Sequence, residues 1–509
     1  MPADYDSFLL AQGLRTNKSD IWHIYIFRSG ATMSLHARSC VSGVFGRRIP
    51  ILVSIRSGLR LRQQHHQQYI RHTWKRHNSS SHIPLSSHED ITRQHQIRSS
   101  LESIIYESSN KPLPEISLND LLKFNTATKH NKELMILQNA NETVMDMLTL
   151  IATRLKVFRQ LPYIVVLNPN IAEIYDAYLE TLKVLLEFVA SVQGDDSKLQ
   201  LDSFKLSSLE QNERLIGVLQ KSIDIHTDNL TVLSKGFEEI APLNLFNGAE
   251  FLDNHLKERI MMRLVANHHM SLSAQLAPLS NSDIDSGALR SIGVVDKKLD
   301  VMQVIRESID FVNGMCLLKY DERVKVQVET FIIKSDGTTT FTKYEPQLNV
   351  DGIDAEVFFP FIPSHLEYVL NEVFKNSARA LIESQSLAPI QITLVAKDYQ
   401  NLKENEHLDT VLEIRISDKG GGIPPEAMER LFEYSFTTFD SEEAGDSYKT
   451  LNNIGGNGAV NIIAGMGYGL PLSRIYVELF GGDLDVQTIY GHGTDVYIRL
   501  RGPDASLLK

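Results

Sequence analysis

The stretch from Ser364 to Glu383, SHLEYVLNEVFKNSARALIE, constrains this chain more than any other. Ser364 suits a helix N-cap, and Glu367 three places later completes a capping box before an apolar-periodic run. At about 100° per residue, Leu366, Leu370, Val373, Phe374, Ser377 and Leu381 share one side, fit for packing on a sheet. Glu372, Asn376, Arg379 and Glu383 fall together on another side. A carboxylate, an amide, a guanidinium and a second carboxylate thus line one stripe. Alone, such a stripe is the ordinary solvated face of a helix. Two glycine-rich stretches further along the chain give it another meaning.

The 509 residues, 42% of them hydrophobic, allow two or more globular domains. No apolar run reaches the ~18 residues of a membrane span, so no membrane partner is expected. Two cysteines, Cys40 and Cys316, supply neither a disulfide framework nor a cysteine-rich zinc site. The net charge of −12 is unevenly spread: residues 21–88 hold ten Lys/Arg and no Asp or Glu, leaving −22 on the rest. So acidic a body argues against nucleic acid as a partner. The acid-free stretch is rich in Arg, Ser and His with apolar residues interleaved, the composition of a mitochondrial transit peptide. Residues 1–94 are therefore assigned to a transit peptide and disordered leader. Asp4, Asp6 and Asp20 precede the basic run, and Met33 opens a cleaner presequence.

Residues 95–290 read as helical, with few glycines and long apolar-periodic runs. Candidate helices are Asn131–Gln160, Asn170–Val192, Ser207–Leu233 and Ala249–His269, broken at 161–170, 193–198 and 240–248. This pattern predicts a four-helix bundle. Within it, the adjacent His268 and His269 have no partner at metal-site spacing, and the plain expectation is one buried and one exposed ring.

Residues 291–505 mix strands with helices. Val324–Ile333, Gln391–Ala396, Leu412–Ser417, Leu484–Ile489 and Thr494–Leu500 are strand-like, the last two forming a hairpin around YGHG. Besides the opening stretch, helices are expected at Pro424–Tyr434 and Gly469–Phe480, and Lys334–Asn349 and Lys397–Leu408 read as loop insertions. The fold class is α+β, a bundle followed by an α/β sandwich with a mixed sheet and helices on one face.

Three stretches carry the chemistry. The first is the helix stripe. In the second, RISDKGGGIP, a strand ends in Asp418 before Gly420, Gly421 and Gly422. A strand-end carboxylate accepts the exocyclic amino group of adenine, and glycines beside it let a base approach. The third, GMGYGLP, sets Gly465, Gly467, Tyr468 and Gly469 ahead of a helix from Leu470, offering backbone N–H groups to phosphate. This loop lacks the Lys-Ser/Thr of a P-loop, and no G-x-G-x-x-G follows the first strand as in a dinucleotide fold.

In that order, and with the GHGTD near the end of the chain, the set resembles the Bergerat (GHKL-type) ATP-binding fold of DNA gyrase B, heat-shock ATPase chaperones, histidine kinases and MutL. The resemblance implies ATP with Mg²⁺ bound through Asn376, and Glu372 as the general base. Lys375 and Arg379 become candidate contacts for phosphate or an acidic partner, Asp418, Gly420 and Gly422 the adenine side, and Thr494 a contact on the side of the nucleotide opposite Asp418. Thr437 and Thr438 stand where a lid would begin, in a segment rich in Gly, Asn and Ser.

The leader, the bundle with LPYIVVLNPN and RLVANHH, and FFPFIPSHLEYVLNEVFKNSARA together look like the mitochondrial kinases of 2-oxo acid dehydrogenase complexes. The resemblance covers about residues 115–503 and implies a serine kinase of the matrix. It further implies that the kinase inactivates the α subunit of the dehydrogenase, docks on the lipoyl domain of the acyltransferase core, and forms a homodimer. Tyr368, where animal pyruvate dehydrogenase kinases carry histidine, together with FPFIP and GTDVYIRLR, resembles the branched-chain enzyme. The SHL before the helix and the insertions resemble the pyruvate enzymes of fungi, and pyruvate dehydrogenase is the expected substrate. A histidine kinase or a non-catalytic ATP-binding module are the readings left beside it.

Overall fold

A computed structural model describes residues 10–11, 21–29, 32–40, 101–126, 131–193, 201–227, 229–243, 245–276, 290–333, 338–344, 357–397, 409–434 and 467–508. The chain divides into two units, Met1–His95 and Gln96–Lys509. The first holds three antiparallel strands, β1 (Leu10–Ala11), β2 (Ile21–Ser29) and β3 (Thr32–Cys40), with β2 and β3 in register from Ile21↔Cys40 to Ser29↔Thr32. These strands fall within the stretch that composition assigns to a leader. IWHIYIFRS, aromatic and β-branched, has strand propensity despite its basic composition.

The second unit begins with helices: α1 (Leu118–Leu122), α2 (Lys132–Gln160), α3 (Tyr163–Val166), α4 (Pro169–Gln193), α5 (Leu209–Ile225), α6 (Asn229–Ile240) and α7 (Gly248–Leu276). The long ones pack around a shared core that includes Val144, Leu148, Ile151, Leu155, Leu182, Leu185 and Leu215. One helix expected over Ser207–Leu233 is two. The chain breaks at His226, whose buried ring accepts from Asn229 at Nδ1 (2.7 Å) and meets the Thr181 hydroxyl at Nε2 (3.0 Å). A tertiary partner on α4 thus overrides local helix propensity. Arg154 on α2 and Glu258 on α7 form a buried bidentate pair at 2.5 and 2.6 Å.

The rest runs β4 (Ser291–Ile292), β5 (Val295–Asp300), α8 (Val301–Tyr320), β6 (Val326–Ile333), β7 (Thr339–Tyr344), β8 (Phe358–Phe361), α9 (Pro363–Glu383), β9 (Ile390–Lys397) and β10 (Asp409–Asp418). It closes with α10 (Pro425–Met428), α11 (Gly469–Glu478), β11 (Asp483–Ile489) and β12 (Gly493–Asp504). Six strands form one sheet in the order β11-β12-β10-β9-β6-β7. Every pairing is antiparallel except β6 with β9. Along β9 and β11 burial alternates, so one face is covered by helices and the other is open, as the mixed sandwich requires.

Four expectations need correction. Lys334–Asn349 is not all loop, since Thr339–Tyr344 pairs with β6 as an edge strand, threonines and aromatics favouring the pleat. The helix at Pro424–Tyr434 extends only over Pro425–Met428. α8 is absent from the expected helices although its signals are present: Asp300 caps Gln303 N (3.1 Å), and Val301, Val304, Ile305, Ile309, Val312 and Cys316 are buried at helical spacing. The capping box at Ser364 does not form either. The helix starts one residue earlier at Pro363, whose missing N–H and fixed φ suit the first helical position without a side-chain cap. The Lys397–Leu408 insertion lies, beyond its first residue, outside the described residues.

A third cluster joins bundle to sandwich: Leu230, Leu256 and Ile260 from α6 and α7 pack with Tyr368, Tyr468, Leu472 and Ile475. Across the same seam the Tyr434 hydroxyl donates to Asp253 of α7, and the Tyr434 and Tyr468 rings lie 5.4 Å apart.

Candidate active site

The apolar side of α9 is buried as its spacing demands, with Leu366, Leu370, Val373, Phe374, Ser377 and Leu381 all at 3% exposure or less. That packing fixes the rotation of the polar stripe. Glu372 is 6% exposed, although it lies on the stripe. Its Oε1 accepts from Lys375 Nζ at 2.5 Å. Its Oε2 sits against the chain at Gly469, where a Cβ would collide with it. The glycine lets the first turn of α11 come close to the carboxylate as it stands. One turn on, Asn376 is exposed. Arg379 Nε pairs with Glu383 at 2.5 Å, so the far half of the stripe closes on itself.

Asp418 ends β10 and is 6% exposed. Burial pushes its carboxyl above the ordinary range, opposed by the Gly420 N–H (2.9 Å), the Ser377 hydroxyl and the Thr494 N–H. Gly420 touches α9 directly: a Cβ there would lie 2.5 Å from that of Ala380. Gly422 and Gly467 both take positive φ. Thr494 is the register partner of Asp418 across β10 and β12. Helix α9 and the D-x-G-G-G turn are therefore brought together, through Ser377 on Asp418 and Ala380 against Gly420, with Thr494 beside Asp418. Tyr468 is wholly buried against Tyr434, and Leu470 packs half-buried on the sheet core. Thr437, Thr438 and Gly465 lie outside the described residues.

Sequence reasoning misses two residues. Helical spacing assigns Ser377 only to the packing side, yet it bonds Asp418. Thr488 accepts from Ile423 N (2.8 Å) and meets the Thr494 hydroxyl at 3.2 Å. Its signal is its place opposite Thr494 in the hairpin. His268 and His269 are both buried, at 2% and 0%, which corrects the expectation of one exposed ring. His269 reaches the Asn139 and Asn212 amides at 2.7 and 2.8 Å. Burial pushes His268 down to about 3 and His269 to about 4.

The first turn of a helix, a strand-end carboxylate and a glycine turn, set around one seam, define an ATP-binding protein. Residues 362–504 match the model of the histidine kinase-, DNA gyrase B- and HSP90-like ATPases. Residues 115–296 match that of the mitochondrial branched-chain alpha-ketoacid dehydrogenase kinase. The mitochondrial [pyruvate dehydrogenase (acetyl-transferring)] kinase 1 of Saccharomyces cerevisiae is 32% identical over 86% of this chain and 95% of its own length. Isozyme 4 of that kinase from Mus musculus is 27% identical, covering 69% of this chain and 73% of its own, and the Arabidopsis thaliana kinase 26%, covering 69% and 81%. The chain belongs to the family of mitochondrial 2-oxo acid dehydrogenase kinases.

Mg²⁺ suits the donor set. The ion prefers oxygen and keeps water and phosphate ligands, needing only one or two from protein. The exposed Asn376 amide oxygen meets that need. Among the described residues no group of three His, Cys, Asp or Glu could hold an ion by protein alone.

Proposed function

We propose that this chain is a mitochondrial protein-serine kinase that uses Mg-ATP to phosphorylate and inactivate the α subunit of the pyruvate dehydrogenase complex. The observation that carries the reading is the buried Glu372 carboxylate, held between Lys375 and the glycine turn opening α11. Asp418 accepts the adenine amino group, with Gly420, Gly422 and Thr494 around the base. Gly467, Tyr468, Gly469 and Leu470 present backbone to the phosphates, with Arg379 at the rim, and Gly465, Thr437 and Thr438 are proposed as further nucleotide contacts. Asn376 holds Mg²⁺, which when bound neutralises charge on the phosphates.

Glu372 takes the proton of the substrate serine hydroxyl. The serine oxygen bonds to the γ-phosphorus, the bond from that phosphorus to the bridging oxygen breaks, and ADP leaves with the electron pair. General-base help is worth about 10²–10⁴-fold, and positioning with charge neutralisation supplies the larger share. The buried His268 and His269 offer no phosphoacceptor, which disfavours a histidine kinase. The bundle is read as docking on a lipoyl domain and the enzyme as a homodimer. Among the described residues no helix is long and apolar enough to cross a membrane.

A second reading, a kinase of the branched-chain complex, is favoured by Tyr368, buried one turn before Glu372, and by the description of the family model over 115–296. Transfer of γ-labelled phosphate to pyruvate and branched-chain complexes offered side by side decides between them. Label on the pyruvate α subunit with loss of its activity is expected. Label on the branched-chain enzyme favours the second reading, and label on neither, with ATP bound, removes the kinase reading.

A further inference from the structure

We propose that Lys375 is a positioning residue for Glu372 and not a ligand of the ATP phosphates. The inference rests on the reading of Glu372 as general base. On a bare helix, Lys375 next to Asn376 reads as a cation free to meet phosphate. The fold gives it other work. Its ammonium lies 2.5 Å from Glu372 Oε1, and the two side chains are only 15% and 8% exposed. The other pair on this helix, Arg379 with Glu383, has its carboxylate 53% exposed, an ordinary surface pair that salt would screen.

Glu372 is held by a donor at one oxygen and has backbone close to the other. Lys375 donates to Oε1, and Oε2 lies beside Gly469, where a Cβ would come within 2.4 Å of it. Together they settle the torsions of a side chain that would otherwise sample several rotamers. Tyr368, one turn earlier, is buried with its hydroxyl unpartnered, so it does not hold the carboxylate. Were Lys375 to swing to a phosphate, it would abandon a buried carboxylate without its counter-ion, an arrangement proteins avoid. With the ammonium confined to one oxygen, the other keeps a lone pair for the serine proton. A base held in one orientation is what a near-attack geometry demands, and a displacement of about 1 Å costs up to about 10²-fold.

The experiment uses the full-length protein with the pyruvate dehydrogenase complex as acceptor. Lys375→Met, Lys375→Arg and Glu372→Gln are compared for kcat at saturating Mg-ATP and for the equilibrium Kd of ATP. Positioning predicts that Lys375→Met loses roughly 30–100-fold in kcat while Kd stays within about twofold. Lys375→Arg, which keeps a donor for Oε1, recovers at least a tenth of the wild-type kcat. Lys375→Met added to Glu372→Gln lowers the residual rate no further, because residues acting as a unit are not additive. A Kd weakened tenfold or more with kcat retained makes Lys375 a phosphate ligand and overturns the proposal. Unchanged kcat and Kd overturn it as well. Should Lys375→Met fail to fold, Lys375→Gln gives the same kcat-against-Kd split. Transfer surviving in Glu372→Gln would instead remove the base reading, a separate failure.

Discussion

α7 and α9 are both long helices that carry polar residues on a buried side, and they do opposite things with them. On α7, His255, Glu258, His268 and His269 are sealed in the bundle. Glu258 and His269 find their partners on neighbouring helices, at Arg154, Asn139 and Asn212. On α9, Glu372 opens on a glycine turn, while Asn376 one turn later is exposed. What separates a packed polar core from a site is what lies over the helix. Side chains of neighbouring helices close over the first, and at Glu372 the covering helix begins with a glycine.

The largest effect should come from Glu372→Gln. Phosphotransfer should fall by about 10²–10⁴-fold with ATP affinity and melting temperature near wild type; a fall in ATP affinity of the same size would give Glu372 a structural role. Glu258→Gln should do the reverse, since it strands the Arg154 guanidinium in the core. A loss of about 3–5 kcal/mol in chemical denaturation is expected, with kcat per folded molecule retained, and an unchanged denaturation midpoint would count against the pair. Asp418→Ala should weaken ATP by about 1.5–3 kcal/mol, the worth of a hydrogen bond to a charged group, read by calorimetry; equal affinity would move the adenine elsewhere.

A further effect concerns acid. Burial pushes His226 and His268 down to about 3 and His269 to about 4, from 6.5. Their rings are neutral in the fold and take up protons on unfolding. The stability they confer is full above pH 6.5 and drains as pH falls toward 3–4, by about 1.4 kcal/mol per unit and histidine. A melting temperature flat from pH 7 to 5 would refute this. Smallest is Gly314→Ala on α8, an exposed helical position where a Cβ meets nothing within 4 Å. It should stabilise by about 0.5–1 kcal/mol, and a destabilised variant would mean that this helix is packed differently.

The stripe of α9 is legible in the sequence because helical spacing alone decides which residues share a face. Asp418 and its glycines stand out only in order with the helix stripe before them and the glycine loop after, since a triple glycine by itself is usually just a turn. The burial of the Lys375–Glu372 pair is not legible, since it depends on tertiary packing around α9 that helical spacing does not show. Ser377 is hidden by the very rule that places it, as it sits on the packing side and bonds there. In the bundle, periodicity shows helix after helix but gives no warning of the break at His226, which depends on Thr181. The edge strand β7 is concealed by the polar residues on both sides of it.

The single parallel pairing in the sheet, β6 with β9 from Val326↔Ile390 to Ile333↔Lys397, bears on how the protein is made. Parallel neighbours need a crossover, and here the crossover contains α9. Such distant pairing is slow to form. Pairing β6 with β9 at the centre of the sheet closes the loop that carries Glu372 and Asn376. Substitutions that loosen α9 should therefore slow refolding as well as phosphotransfer, and an intermediate lacking the site would lack the middle of its sheet.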